Sequence, residues 1–175
     1  MASYAKHVYG ANEASNLVTQ DDFIFYIDDN IAQLVHYKGT NPLVVLPDDI
    51  NGRTYELGYA CFRDSDIVAI TLSTGVATID GYVFGYCNKL REVHNLSEIE
   101  IAKNNDYGIN LSFTNVYTAT EGQSYIEVID GYVYYRNADK YYLMAYVGDE
   151  TSLVLPDTVN GNSYSLHELC FYGNT

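Results

Sequence analysis

Hydrophobic and polar positions along this chain hold neither of the two simple rhythms for long. In "IVAITLSTGVATIDGYVFGYC" (67–87) apolar residues fall at 67, 70, 72, 76, 79 and 84, which matches neither a sustained helical period nor a sustained strand period. A backbone that turns a corner every few residues would bury such a set. The pattern then continues in "LREVHNL" (90–96), where Ile67 and Leu90, and likewise Ile70 and Val93, are 23 positions apart. Periods in the twenties mark a solenoid, in which each coil covers its neighbour's apolar edge and no coil is stable alone. By contrast, "FIFYIDDNIAQLVHY" (23–37) sets two hydrophobic runs around Asp28-Asp29-Asn30, which predicts a β-hairpin. Asn51-Gly52 and Asn160-Gly161 are strong turn signals because both residue types tolerate positive φ. Pro47 and Pro156 should end the strands before them, since proline cannot donate to a ladder.

A longer repeat contains the shorter one. "VVLPDDINGRTYELGYACF" (44–62) returns as "LVLPDTVNGNSYSLHELCF" (153–171), so that Val45 falls on Val154, 109 positions on. The same offset places "DDFIFY" (21–26) on "DGYVYY" (130–135), Leu34 on Leu143, Tyr37 on Tyr146 and Cys61-Phe62 on Cys170-Phe171. "HVYGANE" (7–13) also resembles "NVYTATE" (115–121), with a one-residue slip. The expected organisation is one continuous repeat domain over 1–175: a hairpin spacer at 21–44, stacked coils at 44–96, an irregular segment and second spacer at 97–152, and the start of a second coil set at 153–175. The last coil should leave Leu166, Leu169 and Phe171 partly uncovered. That predicts either a piece of a longer protein or an end that packs on another molecule, including end-to-end self-association.

These motifs resemble the BspA-like leucine-rich repeat, a family of bacterial cell-surface and secreted proteins. "LSTGVATIDGYVFGYCNKLREVHNL" is similar to the family pattern nearly throughout, with Ser73 in a proline slot and Val83 in an alanine slot. "LPDDINGRTYELGYACF" resembles the variant coil with an inserted Asn-Gly turn, Cys61 and Cys170 standing in the alanine slot, and 128–156 resembles the family's spacer. Residues 97–125 match only loosely. The resemblance implies a mainly β, leucine-rich-repeat-type solenoid with a short parallel sheet, an extracellular or cell-surface location, and adhesion or protein recognition as the function class.

Composition narrows the chemistry. With 47% hydrophobic and 18% charged residues, the chain has the balance of a globular protein. No stretch approaches the roughly 18 apolar residues of a membrane helix, and "MASYAKHVYG" has neither a basic nor an apolar leader region. A formal charge of −14 repels phosphate backbones and anionic headgroups, so no nucleic acid and no membrane insertion are expected. Cys61, Cys87 and Cys170 sit inside apolar patterns and read as buried thiols. No nucleophile elbow, phosphate-binding glycine loop or paired-histidine metal motif occurs, and His7, His36, His94 and His167 are widely spaced. No enzyme, no cofactor and no metal site are expected. Asp21-Asp22, Asp28-Asp29-Asn30 and Asp48-Asp49 raise calcium, but they lack EF-hand spacing and turn chemistry accounts for them.

Two candidate binding surfaces remain. If "NPLVVLP", "IVAITLS" and "LREVHNL" stack in parallel, Leu43, Val45, Ala69, Thr71, Glu92 and His94 would face the concave side, a common partner-binding surface of curved repeats. The second is the tyrosine set of the hairpins: Tyr26, Tyr37, Tyr132, Tyr134, Tyr135, Tyr141, Tyr142 and Tyr146. The binding residues expected on these surfaces are Val45, Thr71, Glu92, His94, Tyr134 and Tyr142. A protein ligand is the leading expectation. Exposed tyrosines in a row would instead favour carbohydrate, and a passive spacer in a larger extracellular protein is the third reading.

Overall fold

The hairpin read from residues 23–37 is present, and it is one strand wider than the sequence predicts. The computed structural model describes residues 14–102, 104–112, 114–118, 125–138, 140–168 and 170–171; His7, the segment 7–13 and Leu169 lie outside them. The chain divides into two units, Met1–Thr120 and Glu121–Thr175, with the boundary inside the segment that the motifs match only loosely.

In the first unit a short 3-10 turn (Ala14–Asn16) leads into β1 (Leu17–Gln20), which pairs antiparallel with β2 (Phe23–Ile27); β2 pairs in turn with β3 (Ala32–Tyr37). The hairpin does not stand apart from the coils. β3 pairs in parallel with β5 (Tyr55–Leu57), and β5 with β7 (Val76–Ile79), so one sheet of order β1-β2-β3-β5-β7 passes from antiparallel spacer to parallel solenoid. The opposite wall is fully parallel. There β4 (Leu43–Val45), β6 (Ala69–Leu72), β8 (Glu92–Asn95) and β9 (Asn115–Thr118) lie in order, with Val44, Ile70, Val93 and Val116 in one file pointing inward. Ile70 and Val93, 23 apart in sequence, are direct partners. Glu92 and Asn115 repeat that spacing, whereas Leu43 and Ala69 are 26 apart; the additional length lies in the Asn51-Gly52 hairpin, bridged by Ile50 and Arg53.

Between the walls a file of rings runs from coil to coil. Phe23 meets Tyr37 at 5.5 Å between centroids, Tyr37 meets Phe62 at 5.1 Å, and Phe62 stacks on Phe84 at 5.6 Å. Such apolar burial is the main favourable term holding the coils together. Polar atoms within it are satisfied locally: Tyr55 Oη and Ser73 Oγ both donate to the Pro47 carbonyl, and Thr114 Oγ1 donates to the Leu90 carbonyl. Ser73 thus ties one coil to the next. Burial pushes the Tyr37 and Tyr55 phenols up to about 12. Cys61 and Cys87 are buried thiols as expected; burial raises both, Cys87 to about 11, and Cys87 Sγ donates to the Phe62 carbonyl at 3.1 Å.

The second unit repeats the hairpin and the first coil strand. β10 (Ile126–Ile129), β11 (Tyr132–Asn137) and β12 (Lys140–Tyr146) form an antiparallel sheet, and β12 pairs in parallel with β13 (Tyr164–Leu166). The 109-residue offset holds at the level of hydrogen bonds. The bulge between Ile24 and Phe25 recurs between Val133 and Tyr134, and the Tyr55–Pro47 bond recurs as Tyr164–Pro156 at 2.7 Å. The Ile50–Arg53 bridge recurs as Val159–Asn162. Both Asn-Gly turns place both residues at positive φ, 54° and 72° in the first and 49° and 75° in the second, the conformation that a two-residue hairpin turn demands. The architecture is therefore a mainly β, leucine-rich-repeat-type solenoid whose coils are entered from β-hairpins.

Candidate functional site

Alternation along the four-stranded parallel sheet decides which side chains it presents. With the Val44–Ile70–Val93–Val116 file inside, the register places Leu43, Ala69, Glu92 and Asn115 in one outward row and Val45, Thr71, His94 and Tyr117 in the other. Val45 is 69% exposed, while Thr71, His94 and Tyr117 are half-buried. Adjacent strands in such a sheet lie about 4.8 Å apart, so four side chains span a short, nearly straight ribbon. Its chemistry runs from aliphatic through hydroxyl to imidazole and phenol. The His94 ring leans on Tyr117, with centroids 5.4 Å apart at 46°.

Glu92 corrects the expectation made for it. It belongs to the outward face, as alternation requires, but its side chain is 0% exposed, and its Oε2 lies 3.1 Å from His94 Nε2. A carboxylate held in this way orients the imidazole from below rather than meeting a partner itself. Of the residues proposed for the sheet face, Val45, Thr71 and His94 therefore offer surface and Glu92 does not.

The tyrosines of the hairpins divide the same way. Tyr26, Tyr37, Tyr132, Tyr134, Tyr141 and Tyr146 are buried; Tyr135 and Tyr142, which face each other across β11 and β12, are half-buried. Tyr134 is only 1% exposed. It meets the Tyr164 ring edge-on at 5.4 Å and lies beside Tyr132, and its phenol is pushed up to about 12, chiefly by burial and then by neighbouring Tyr164, Tyr132 and Asp130. Tyr134 is thus a core residue of the second unit, occupying the place that Phe25 takes against Tyr55 in the first. Tyr142 stays at the surface. The hairpin tyrosines supply packing area, and the row of exposed rings that a sugar-stacking hairpin needs is not formed by these eight.

The acidic clusters serve turns. Asp28 Oδ1 accepts from the backbone N–H groups of Asn30 and Ile31 at 2.8 and 2.7 Å, and Asp49 Oδ1 accepts from Gly52 at 2.8 Å. These bonds, Ile31 first, hold the Asp28 carboxyl below its usual range. Among the described residues, no group of three or more His, Cys, Asp or Glu side chains converges as a metal site would require.

The sequence reading passed over one further surface. At one corner of the first unit's coils, Tyr59 and Tyr82 pair at 6.1 Å, and the Arg63 guanidinium sits 4.8 Å above the Tyr86 ring. Tyr82 and Tyr86 are exposed. Beside Tyr86 open two adjoining clefts of about 190 and 520 Å3, which share Gly108 and Asn110.

No family model and no curated protein matches the chain. Among solved structures, it is similar to a leucine-rich repeat protein from Bacteroides capillosus ATCC 29799, at 18% identity over 61% of this chain and 99% of that one, with a TM-score of 0.45. It is also similar to a leucine rich cell surface protein from Faecalibacterium prausnitzii A2-165, at 13% identity over 75% of this chain and 61% of that one, with a TM-score of 0.43. The present chain thus spans less than two thirds of the second protein's length. The chain's own repeats and parallel ladders show a β-solenoid, and its likeness to the leucine-rich-repeat type lies in the motifs that line those ladders.

Proposed function

We propose that the chain is a non-catalytic recognition module of a bacterial surface or secreted protein, engaging a protein partner through the outward row Val45–Thr71–His94. The observation that carries this reading is the register of the parallel sheet, which lines up an exposed aliphatic, a hydroxyl and an imidazole in one row. A row of this kind gives a partner apolar contact with directional hydrogen bonding beside it, the mix found at protein interfaces. Its backbone is fixed by strand pairing on both sides at Thr71 and His94, so little ordering entropy opposes binding there. The buried Glu92 beneath His94 adds to that pre-organisation. The repeat motifs, which resemble those of bacterial surface proteins, support the location.

The test is capture from a panel of extracellular-matrix and cell-surface proteins, followed by Val45→Asp and Thr71→Arg in the same chain. A partner bound at micromolar concentration should lose at least about tenfold in affinity with either change, while far-UV dichroism stays the same. Absence of any micromolar partner, or binding indifferent to both substitutions, would refute the reading.

A further inference from the structure

We infer that the corner of the first unit around Tyr86 is a binding site for a neutral carbohydrate, separate from the outward row of the parallel sheet. Successive coils place a residue of positive φ at this corner at intervals of 22 residues: Asp64 at 60°, Tyr86 at 61° and Gly108 at 89°. Aspartate and glycine enter the left-handed region readily, whereas a bulky aromatic side chain does so at a cost in strain. Four residues before Tyr86, Tyr82 is held at 56° in the same way. In a core the burial of a ring would offset that strain. Here it does not, because Tyr82 and Tyr86 are 55% and 62% exposed. The left-handed turn itself recurs, with Ala60 at 58° one coil before Tyr82; what sets this coil apart is that it carries two bulky rings there, held by Tyr59 and Arg63 on one side and facing solvent on the other, and strained residues of this kind gather at ligand sites.

The surroundings of Tyr86 supply the rest of a sugar site. Gly108 lets its coil pack against the backbone of the preceding one, since a Cβ there would sit 2.7 Å from the Gly85 nitrogen, and this close approach sets the wall that the two clefts share. The larger cleft, about 520 Å3, has Ile109 and Leu111 among its lining and Asn104, Asn110 and Ser112 as its polar groups. Asn88 lines the smaller one with Tyr86. The side-chain amides of Asn88 and Asn104 make no hydrogen bond among the described residues, and Asn110 uses only its Oδ1, which accepts from the Ser112 N–H at 3.0 Å. Paired amide donors and acceptors match the vicinal hydroxyls of a sugar, and an exposed tyrosine ring matches its C–H face. Arg63 lies over Tyr86 and fixes the ring, and its charge is met by Asp64, with Nε 3.3 Å from Oδ2. The formal charge of −14 disfavours sialylated or uronic sugars, which leaves the neutral class.

The experiment records amide chemical shifts of the whole chain with four neutral probes, cellotetraose, maltotetraose, mannotetraose and chitotetraose, and with sialyllactose as the charged arm. At least one neutral tetrasaccharide should bind with a Kd between about 10 μM and 1 mM, perturbing amides in 85–90 and 108–112. Tyr86→Gly, which removes the ring and suits the left-handed backbone, should weaken that binding at least about tenfold and leave the thermal midpoint unchanged or higher. Asn88→Ala should weaken it by a smaller factor. Val45→Asp should leave it intact, which separates this site from the protein-binding row. The inference is overturned if no neutral probe moves those amides at about 10 mM, well above the weakest Kd expected. It is equally overturned if sialyllactose binds there in preference, or if Tyr86→Gly binds as tightly as the parent.

Discussion

The first and second copies of the hairpin-and-coil repeat share their turns, bulges, bridges and ring contacts, yet they bury equivalent residues to very different depths. Leu57 is 0% exposed and its counterpart Leu166 54%; Leu46 is 2% exposed and its counterpart Leu155 39%. In the first copy β5 is covered by β7, and the Leu46 N–H is bonded to the Thr71 carbonyl of the next coil. In the second, β13 is the edge of its sheet, and residues 152–154, equivalent to β4, form no ladder. Other positions do not follow that contrast: Ile50 and Val159 beside the turns are both buried, as are Cys61 and Cys170 after the strands. The lesson is that local geometry in this fold is written within each repeat, whereas burial of the strand residues is conferred by the coil that follows.

That contrast can be broken most directly at the paired leucines. Leu57→Ala should cost about 2–5 kcal/mol, the range for emptying a filled core site. Leu166→Ala should stay within about 0.5 kcal/mol, as for a surface position. Urea denaturation read by amide hydrogen exchange in each repeat measures both, and equal losses would mean that coil stacking does not decide burial. The turns sharpen the comparison from the other side. Gly52 and Gly161 have positive φ and nothing within 4 Å of a built Cβ, so Gly52→Ala and Gly161→Ala should each cost about 1 kcal/mol, for conformational reasons alone. A clear inequality would show that the surroundings reach the turn. The smallest effect concerns pH. Asp28, whose counterpart is Asn137, has its carboxyl held below the ordinary value by the Ile31 and Asn30 N–H groups. Its contribution is present above the unfolded pKa of about 3.9 and is lost as pH falls through the lower folded value. The Asn30 and Ile31 amide shifts should therefore titrate on the acid side of that value, and Asp28→Asn, which installs the residue of the second copy, should abolish that transition.

Much of this was legible in the chain, because the signals are local or strictly periodic. The 23-residue spacing names Ile70 and Val93 as partners, and they are. The Asn-Gly pairs name their own turns. What was not legible depends on packing between segments. β5 and β7 are three and four residues long, too short for alternation to show, and they are strands because neighbouring coils pair with them. β9 continues the ladder through Val116, 23 positions after Val93, although its surrounding segment carries almost none of the family motif. The spacing was the available signal there. Tyr134 and Glu92 were placed outside by alternation or by chemical type; the first lies on the side of its hairpin that carries the core, and the second is buried against His94. The Tyr86 corner gave no sequence signal, since its character comes from positive φ at Tyr82 and Tyr86 and from the close approach of the next coil at Gly108.

The spacing of 26 rather than 23 between Leu43 and Ala69 has an implication for how such chains change. Additional residues are expelled as a small solvent-facing loop at Asn51-Gly52 while the strands on either side remain aligned, so the wall acts as a ruler indifferent to what is looped out beside it. Lengthening at that point is the kind of edit a lineage can try repeatedly without dismantling the scaffold, and a foreign peptide grafted there would be displayed on the same terms.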